Sequence, residues 1–175
     1  MHFERLTNCH DPRYKAAIEL YRQSFPRHEQ REAASQAVIL THPAYRFDLI
    51  YDGNDCVGLM LNWETDNFIY VEHFCIEPNR RGRRYGSRAL ELLGAKGKTI
   101  ILEIDPPVDE ISIRRKGFYE RAGFHANPYP HVHPAYHADC KGHDLVIMSA
   151  PAPIDQAQYD AFNAYLRAVV MKNAY

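Results

Sequence analysis

Residues 68–105 constrain the fold more than any other stretch. Phe68 to Ile76 reads as a strand. A helix follows, with Tyr85, Ala89, Leu92 and Leu93 on one face. Thr99 to Asp105, TIILEID, is then a nearly continuous apolar run, the pattern of a strand buried on both faces. Strand, helix and strand within about forty residues fit a parallel crossover, which twisted sheets make right-handed.

The segments on either side are shorter and more local. His2 to Thr7 is a short strand candidate, and Asp11-Pro12 opens a helix with a cap residue followed by proline at the first helical position. Tyr14, Ala17, Ile18, Tyr21 and Phe25 continue it at helical spacing until Pro26, and a second helix is predicted over Glu29 to Leu40. Tyr45 to Tyr51 and Cys56 to Trp63 are strands joined by the turn signal Asp52-Gly53-Asn54. Downstream, a helix from about Asp109 to Ala122 stops at Gly123, a residue suited to a left-handed cap. Leu145 to Ser149 is the last strand. After Pro151 and Pro153, the residues Tyr159, Phe162, Leu166, Val169 and Val170 mark an amphipathic helix. The expected fold class is α/β in the mixed α+β sense, a mixed sheet with helices on both faces. Residues 1–150 form one domain and 151–175 add a helix packed on it, by default in the core and as the lesser alternative in a homodimer contact.

A chain of 175 residues can bury a core without disulfides or a structural metal. Its 21 basic and 22 acidic residues leave a net charge of −1, which argues against a general nucleic-acid binder. No apolar run approaches the ~20 residues of a membrane span. MHFERLTNCH has no apolar centre and is not expected to be a signal peptide. Cys9, Cys56, Cys75 and Cys140 show no C-x-x-C spacing and read as reduced thiols of a cytoplasmic protein, with Cys75 in a buried strand.

Chemistry concentrates in Glu77 to Arg88, EPNRRGRRYGSR, between a buried strand and a helix. Glycines let successive N–H groups turn inward into an anion-binding nest, and the helix N-terminus adds partial positive charge. Arginine adds permanent charge and forked donors suited to phosphate, so a diphosphate is the expected guest and a solvated basic turn the plain alternative. Neither G-x-x-x-x-G-K-[ST] nor G-x-G-x-x-G is present, which sets aside a P-loop and a Rossmann dinucleotide site.

CIEPNRRGRRYGSRAL resembles the acyl-CoA signature of the GNAT N-acetyltransferase superfamily: Arg or Gln, two residues, Gly, one residue, Gly or Ala. Arg81, Arg84 and Gly86 fall on its fixed positions, and Arg84 departs from the usual glycine, so either the loop takes a slightly different backbone or Arg84 holds a positive φ at some cost. GFYERAGF is similar to a second landmark of the family, matched by Tyr119, Gly123 and Phe124, although Ser112 and Arg115 replace the common Asn and Ala earlier in that helix. SFPRHEQRE, YVEHFCIEP, LEIDPP and NPYPHVHPAY suggest a bacterial subgroup.

The resemblance implies a sheet split between the fourth and fifth strands, with pantetheine filling the gap. It also implies acetyl-CoA as co-substrate and direct attack by an amine of a small molecule or peptide in a ternary complex. On that basis Phe74, Ile76, Arg81, Gly82, Arg83, Arg84, Tyr85, Gly86, Ser87 and Ser112 are expected at the cofactor. Tyr119 is the expected acid toward the departing thiolate, with a satisfied core tyrosine as the alternative. Glu72 is the expected base, in the middle of FIYVEHFCI, with a structural ion pair as the alternative. Simple alternation puts Glu72 on the face of Tyr70, Phe74 and Ile76 and His73 on the other; a bulge would swap them, so His73 is held in reserve. Glu103, ranked below Glu72, is expected to support a neighbouring site residue or to orient substrate, and Tyr129, His131 and Tyr136 to line the acceptor pocket, with surface histidines of no role as the alternative.

His131, His133, His137, Cys140 and His143 are zinc-ligand types, but the prolines among them and their spacing fit no standard finger, so no metal is expected. A metal-dependent protein using this loop, and a non-catalytic CoA-binding module, remain the competing functions. The expected partners are an amine acceptor and acetyl-CoA, with no nucleic acid, no membrane, and a monomer or homodimer as the state.

Overall fold

A computed structural model describes all residues, 1–175. The strands are β1 His2–Leu6, β2 Tyr45–Asp52, β3 Asp55–Glu64, β4 Phe68–Ile76, β5 Thr99–Ile104, β6 His125–Ala126, β7 Val132–His133, β8 His143–Asp144 and β9 Val146–Ala150. The helices are α1 Tyr14–Ser24, α2 Ala33–Ile39, α3 Tyr85–Gly94, α4 Glu110–Arg121 and α5 Gln156–Tyr165. Seven strands form one sheet in the order β1-β2-β3-β4-β5-β9-β6, while β7 and β8 pair apart. Every pair in the large sheet is antiparallel except β4 with β5, the predicted crossover. No helix is long and apolar enough to cross a membrane.

Helices cover both faces. Phe47, Leu59, Tyr70 and Ile101 pack with Tyr21 of α1, Ile39 of α2 and Phe162 of α5. Met60, Ile69, Val71 and Leu102 pack with Leu93 of α3 and Tyr119 of α4. Beyond α5 the chain continues as a π-helical turn, Leu166–Val170, whose Leu166 and Val170 are buried in the first of these cores. Residues 156–170 thus pack Tyr159, Phe162, Leu166 and Val170 into the core of this same chain.

Two features place the site. The β4–β5 pairing runs only from Phe68 opposite Thr99 to Val71 opposite Leu102; past that point the two strands part. On the other side of β4, His73 faces Leu61 and Val71 faces Asn62, so Glu72 is an extra residue. Such a bulge bends the strand and resets its alternation. Glu72, His73 and Cys75 therefore pack toward the α1 and α5 side, whereas Phe74 and Ile76 join the α3 and α4 side. This corrects the simple alternation, which grouped Glu72 with Phe74 and Ile76.

The helix expected over Glu29 to Leu40 is also corrected. It divides into a 3-10 turn, Arg27–Glu29, and α2, because Gln30 and Glu32 are extended. Gln30 Nε2 donates to the carbonyls of Phe25 (2.5 Å) and Arg22 (3.1 Å), and the Arg31 N–H donates to Tyr21 Oη at 2.9 Å. These bonds replace helical ones and turn the Arg31 side chain inward.

Candidate functional site

Where β4 and β5 part, a cleft of about 770 Å³ opens between the two strands, the turn before α3, and one side of α4. At one end, Pro78–Arg80 makes a 3-10 turn, Gly82 has φ +76° and Arg84 has φ +63°. Left-handed residues this close together curl the backbone into a concavity of N–H groups. Holding arginine there costs about 1–2 kcal/mol relative to an ordinary conformation. Arg84 is also the N-cap of α3 and provides no side-chain cap, so the amides of the first turn stay open to an anion. Gly86 matters for space: a β-carbon there would lie 3.1 Å from Phe118 Cζ and 3.7 Å from Phe74 Cζ. Its absence lets α3 close on the cleft floor with the backbone exposed.

The charges divide cleanly. Arg80 is paired with Asp55 and Glu77, and Arg88 with Asp52. Arg81 places Nε 3.2 Å from the Ile76 carbonyl, and neither it nor Arg84 meets a carboxylate. Both line the cleft, with Tyr85, Gly86 and Ser87; Arg83 is exposed and does not line it. Arg114 and Arg121 of α4 add two further cations from the opposite wall. The sequence signal for them was their spacing of seven, two turns along one helix face.

Ser112 does not reach the cleft. It is buried in the capping box of α4, accepting from the N–H groups of Val108 and Asp109, while Asp109 Oδ1 accepts from the Ser112 N–H at 2.8 Å. That corrects its expected place at the cofactor; a Ser three residues after Asp at a helix start is a capping signal in its own right.

Tyr119 lines the cleft at 9% exposure, and its hydroxyl has no hydrogen bond to another protein group. Burial pushes its phenol up to about 12 against a weak opposing effect of Arg115, so it stays protonated over the working range.

Glu72 sits in different surroundings from those of a free base. Its side chain is 1% exposed, and Arg31, at 0%, lies 3.0 Å from Oε1. Tyr136 Oη donates to Oε1 at 2.9 Å and Trp63 Nε1 to Oε2 at 2.8 Å. Burial works to raise its carboxyl, but Arg31, with His73, Trp63 and Tyr136, outweighs it and holds the group below the usual carboxylate range. A carboxylate so satisfied is a poor proton acceptor, which favours the structural alternative. The sequence marked Arg31 only as part of SFPRHEQRE.

The other expected residues separate into two groups. Glu103 and Tyr136 line the cleft. Glu103 accepts from Tyr70 Oη at 2.5 Å and from His131 Nε2. Burial opposes its ionisation, yet His133, His131 and Tyr70 keep it below the usual range. His131 and Tyr129 lie behind the wall and do not line the acceptor side, correcting that expectation. Tyr129 donates to the Ile154 carbonyl at 2.9 Å and stacks on Tyr159, and His131 reaches from Tyr159 to Glu103. Of the remaining members of the His/Cys group, His137 meets Arg27 O and Glu32, Cys140 meets Asp139, and His143 packs on His28 and His133.

Comparison with known proteins agrees with this geometry. The model of the Acetyltransferase (GNAT) family matches residues 8–124. YjbC of Bacillus subtilis (strain 168), provisionally named an acetyltransferase, is 29% identical over 103 residues, which is 57% of this chain and 52% of that protein. The match thus spans about half the length of the curated relative. A solved chain from Bacteroides thetaiotaomicron, provisionally described as a GNAT-family acetyltransferase, superposes with a TM-score of 0.91 at 29% identity, covering 98% of each chain. Arabidopsis thaliana Naa50, solved with the bisubstrate analogue CoA-Ac-MVNAL, shares the fold at a TM-score of 0.58 and 16% identity, covering 85% of this chain and 96% of that one.

Proposed function

The chain belongs to the GNAT acetyltransferase family, and from that premise we propose that it moves an acetyl group from acetyl-CoA to a primary amine of a small molecule or peptide. The observation that carries this reading is the parting of β4 and β5 directly beside the uncapped, glycine- and arginine-built N-terminus of α3. Main-chain N–H groups from Gly82 to Ser87 would hold the diphosphate, with Arg81 and Arg84 supplying charge. The β4 backbone at Phe74 and Ile76, freed from β5, would hold the pantetheine arm by the hydrogen bonds a strand makes to its neighbour.

Catalysis in this scheme is mainly positioning. Both reactants are held at one cleft, which turns a bimolecular reaction into a near-attack arrangement. The amine nitrogen forms a bond to the thioester carbonyl carbon, the carbon–sulfur bond breaks, and Tyr119 gives its proton to the departing sulfur. Arg114 and Arg121 would complete the cationic wall facing the phosphates.

The test is a free-thiol assay with acetyl-CoA and a panel of primary amines. The expected result is amine-dependent release of CoA above the rate of hydrolysis. Saturable binding of acetyl-CoA with no release on a broad panel would overturn catalysis and favour a non-catalytic module.

A further inference from the structure

Two histidines that line the cleft each bury a ring nitrogen without any protein partner, His133 at Nε2 and His73 at Nδ1. His133, on β7, is 2% exposed and lines the cleft beside Glu103 and Tyr136. Its Nδ1 lies 2.6 Å from the Pro134 carbonyl oxygen. A carbonyl only accepts, so Nδ1 carries the proton of the neutral ring and Nε2 is a bare lone pair. That Nε2 is buried and has no hydrogen-bond partner. An acceptor buried without a donor is unfavourable, and a donor brought in by a ligand removes the penalty.

A carboxylate and an aromatic ring flank this atom. Glu103 Oε2 is 3.8 Å away, and Tyr70 and His131 hold that carboxylate in place. The ring stacks on Tyr136, with centroids 4.9 Å apart at 26°. The other titratable groups that act on it or feel it are Glu29, the last residue of the Arg27–Glu29 turn; His73, on β4; and His143, on β8, with its ring centroid 6.0 Å away.

Resting on the acetyl-transfer reading above, we propose that His133 Nε2 takes the proton from the attacking amine, with Glu103 as its counter-charge. His73 is the other histidine with an unpartnered buried nitrogen, Nδ1. It is less suited, because Arg31 already neutralises the adjacent Glu72 and His73 is wedged edge-on between Tyr21 and Phe25. The protons balance as follows. An ammonium loses its first proton to His133, which later releases it to water. The nitrogen loses a second as the amide forms. Tyr119 gives one to sulfur and recovers one from that second loss, so the products are amide, CoA thiol and one proton.

Calorimetry with acetyl-CoA on the wild type and on His133→Gln comes first. Binding by both keeps the acetyl-transfer reading; no binding by the wild type would sink that reading rather than the role of His133. Rates are then measured against pH with putrescine, lysine and an alanine-terminated peptide as acceptors. His133→Gln is expected to lower kcat/KM about 100-fold or more and to abolish the fall in rate toward acid pH. A wild-type rate and acid limb in His133→Gln, or their loss in His73→Gln instead, would overturn the assignment. Imidazole ¹⁵N NMR of the wild type decides independently of acceptor or variant folding. A neutral His133 protonated at Nδ1 is expected, and one protonated at Nε2 would refute the proposal.

Discussion

Arg31→Met is expected to lower stability at neutral pH by about 3–5 kcal/mol, because it strips the counter-charge from a carboxylate that cannot reach water. For a chain of this length that is a fall of roughly 10 °C in the unfolding midpoint. Arg31 joins three parts of the molecule. It donates to Glu72 on β4 at 3.0 Å and to the Val170 carbonyl at the π-helical turn at 2.6 Å, and its guanidinium lies 6.0 Å from the Trp63 ring centroid. The sign of the pH dependence distinguishes lost charge from lost packing. In the wild type the Glu72 carboxyl is held below its unfolded value near 4.5, so its contribution is present above that value and fades as pH falls through the lower folded one. Without Arg31, burial is opposed only by His73, Trp63 and Tyr136 and the folded value is expected to rise above the unfolded one, so the penalty appears as pH climbs from the unfolded value through the raised one. The difference from wild type should therefore shrink toward acid pH, and Glu72→Gln added to Arg31→Met should recover part of the loss. Thermal unfolding across pH measures both. A pH-independent deficit with no recovery would mean that only packing was removed.

Tyr119→Phe is expected to lower kcat about 100-fold or more while acetyl-CoA affinity stays within about twofold. The hydroxyl makes no hydrogen bond within the protein, so its removal leaves no orphaned partner and little change in stability. Its phenol, pushed up to about 12 by burial, keeps the proton until sulfur develops charge. Steady-state kinetics beside calorimetry separate the two quantities. Unchanged turnover would return Tyr119 to the role of a core tyrosine, and equal losses in affinity and rate would make it a binding residue.

The features legible in the sequence are those fixed by neighbours along the chain. TIILEID reads as a strand because its burial is written in consecutive residues, and β5 spans Thr99–Ile104. Gly123 stops α4 at φ +86°, and of the two backbones open to Arg84 at a glycine position it takes the left-handed one. What was hidden depends on partners far away in sequence. Nothing near Glu72 announces that Arg31, 41 positions earlier, will neutralise it. The bulge that turns His73 to the side of Glu72 is set by the register of β3, not by the spelling of β4. His133 stood among five possible metal ligands by composition. Only the Pro134 carbonyl against one ring nitrogen and the missing partner at the other give it a separate chemical character.

The central claim is that the gap between β4 and β5, with the turn before α3, receives acetyl-CoA. Diffraction from crystals grown with CoA tests it most directly. The account predicts the diphosphate on the main-chain N–H groups of residues 82–87, the pantetheine arm along Phe74 and Ile76, and the sulfur within reach of Tyr119. A ligand bound on another face, with this gap closed or filled by side chains, would contradict it.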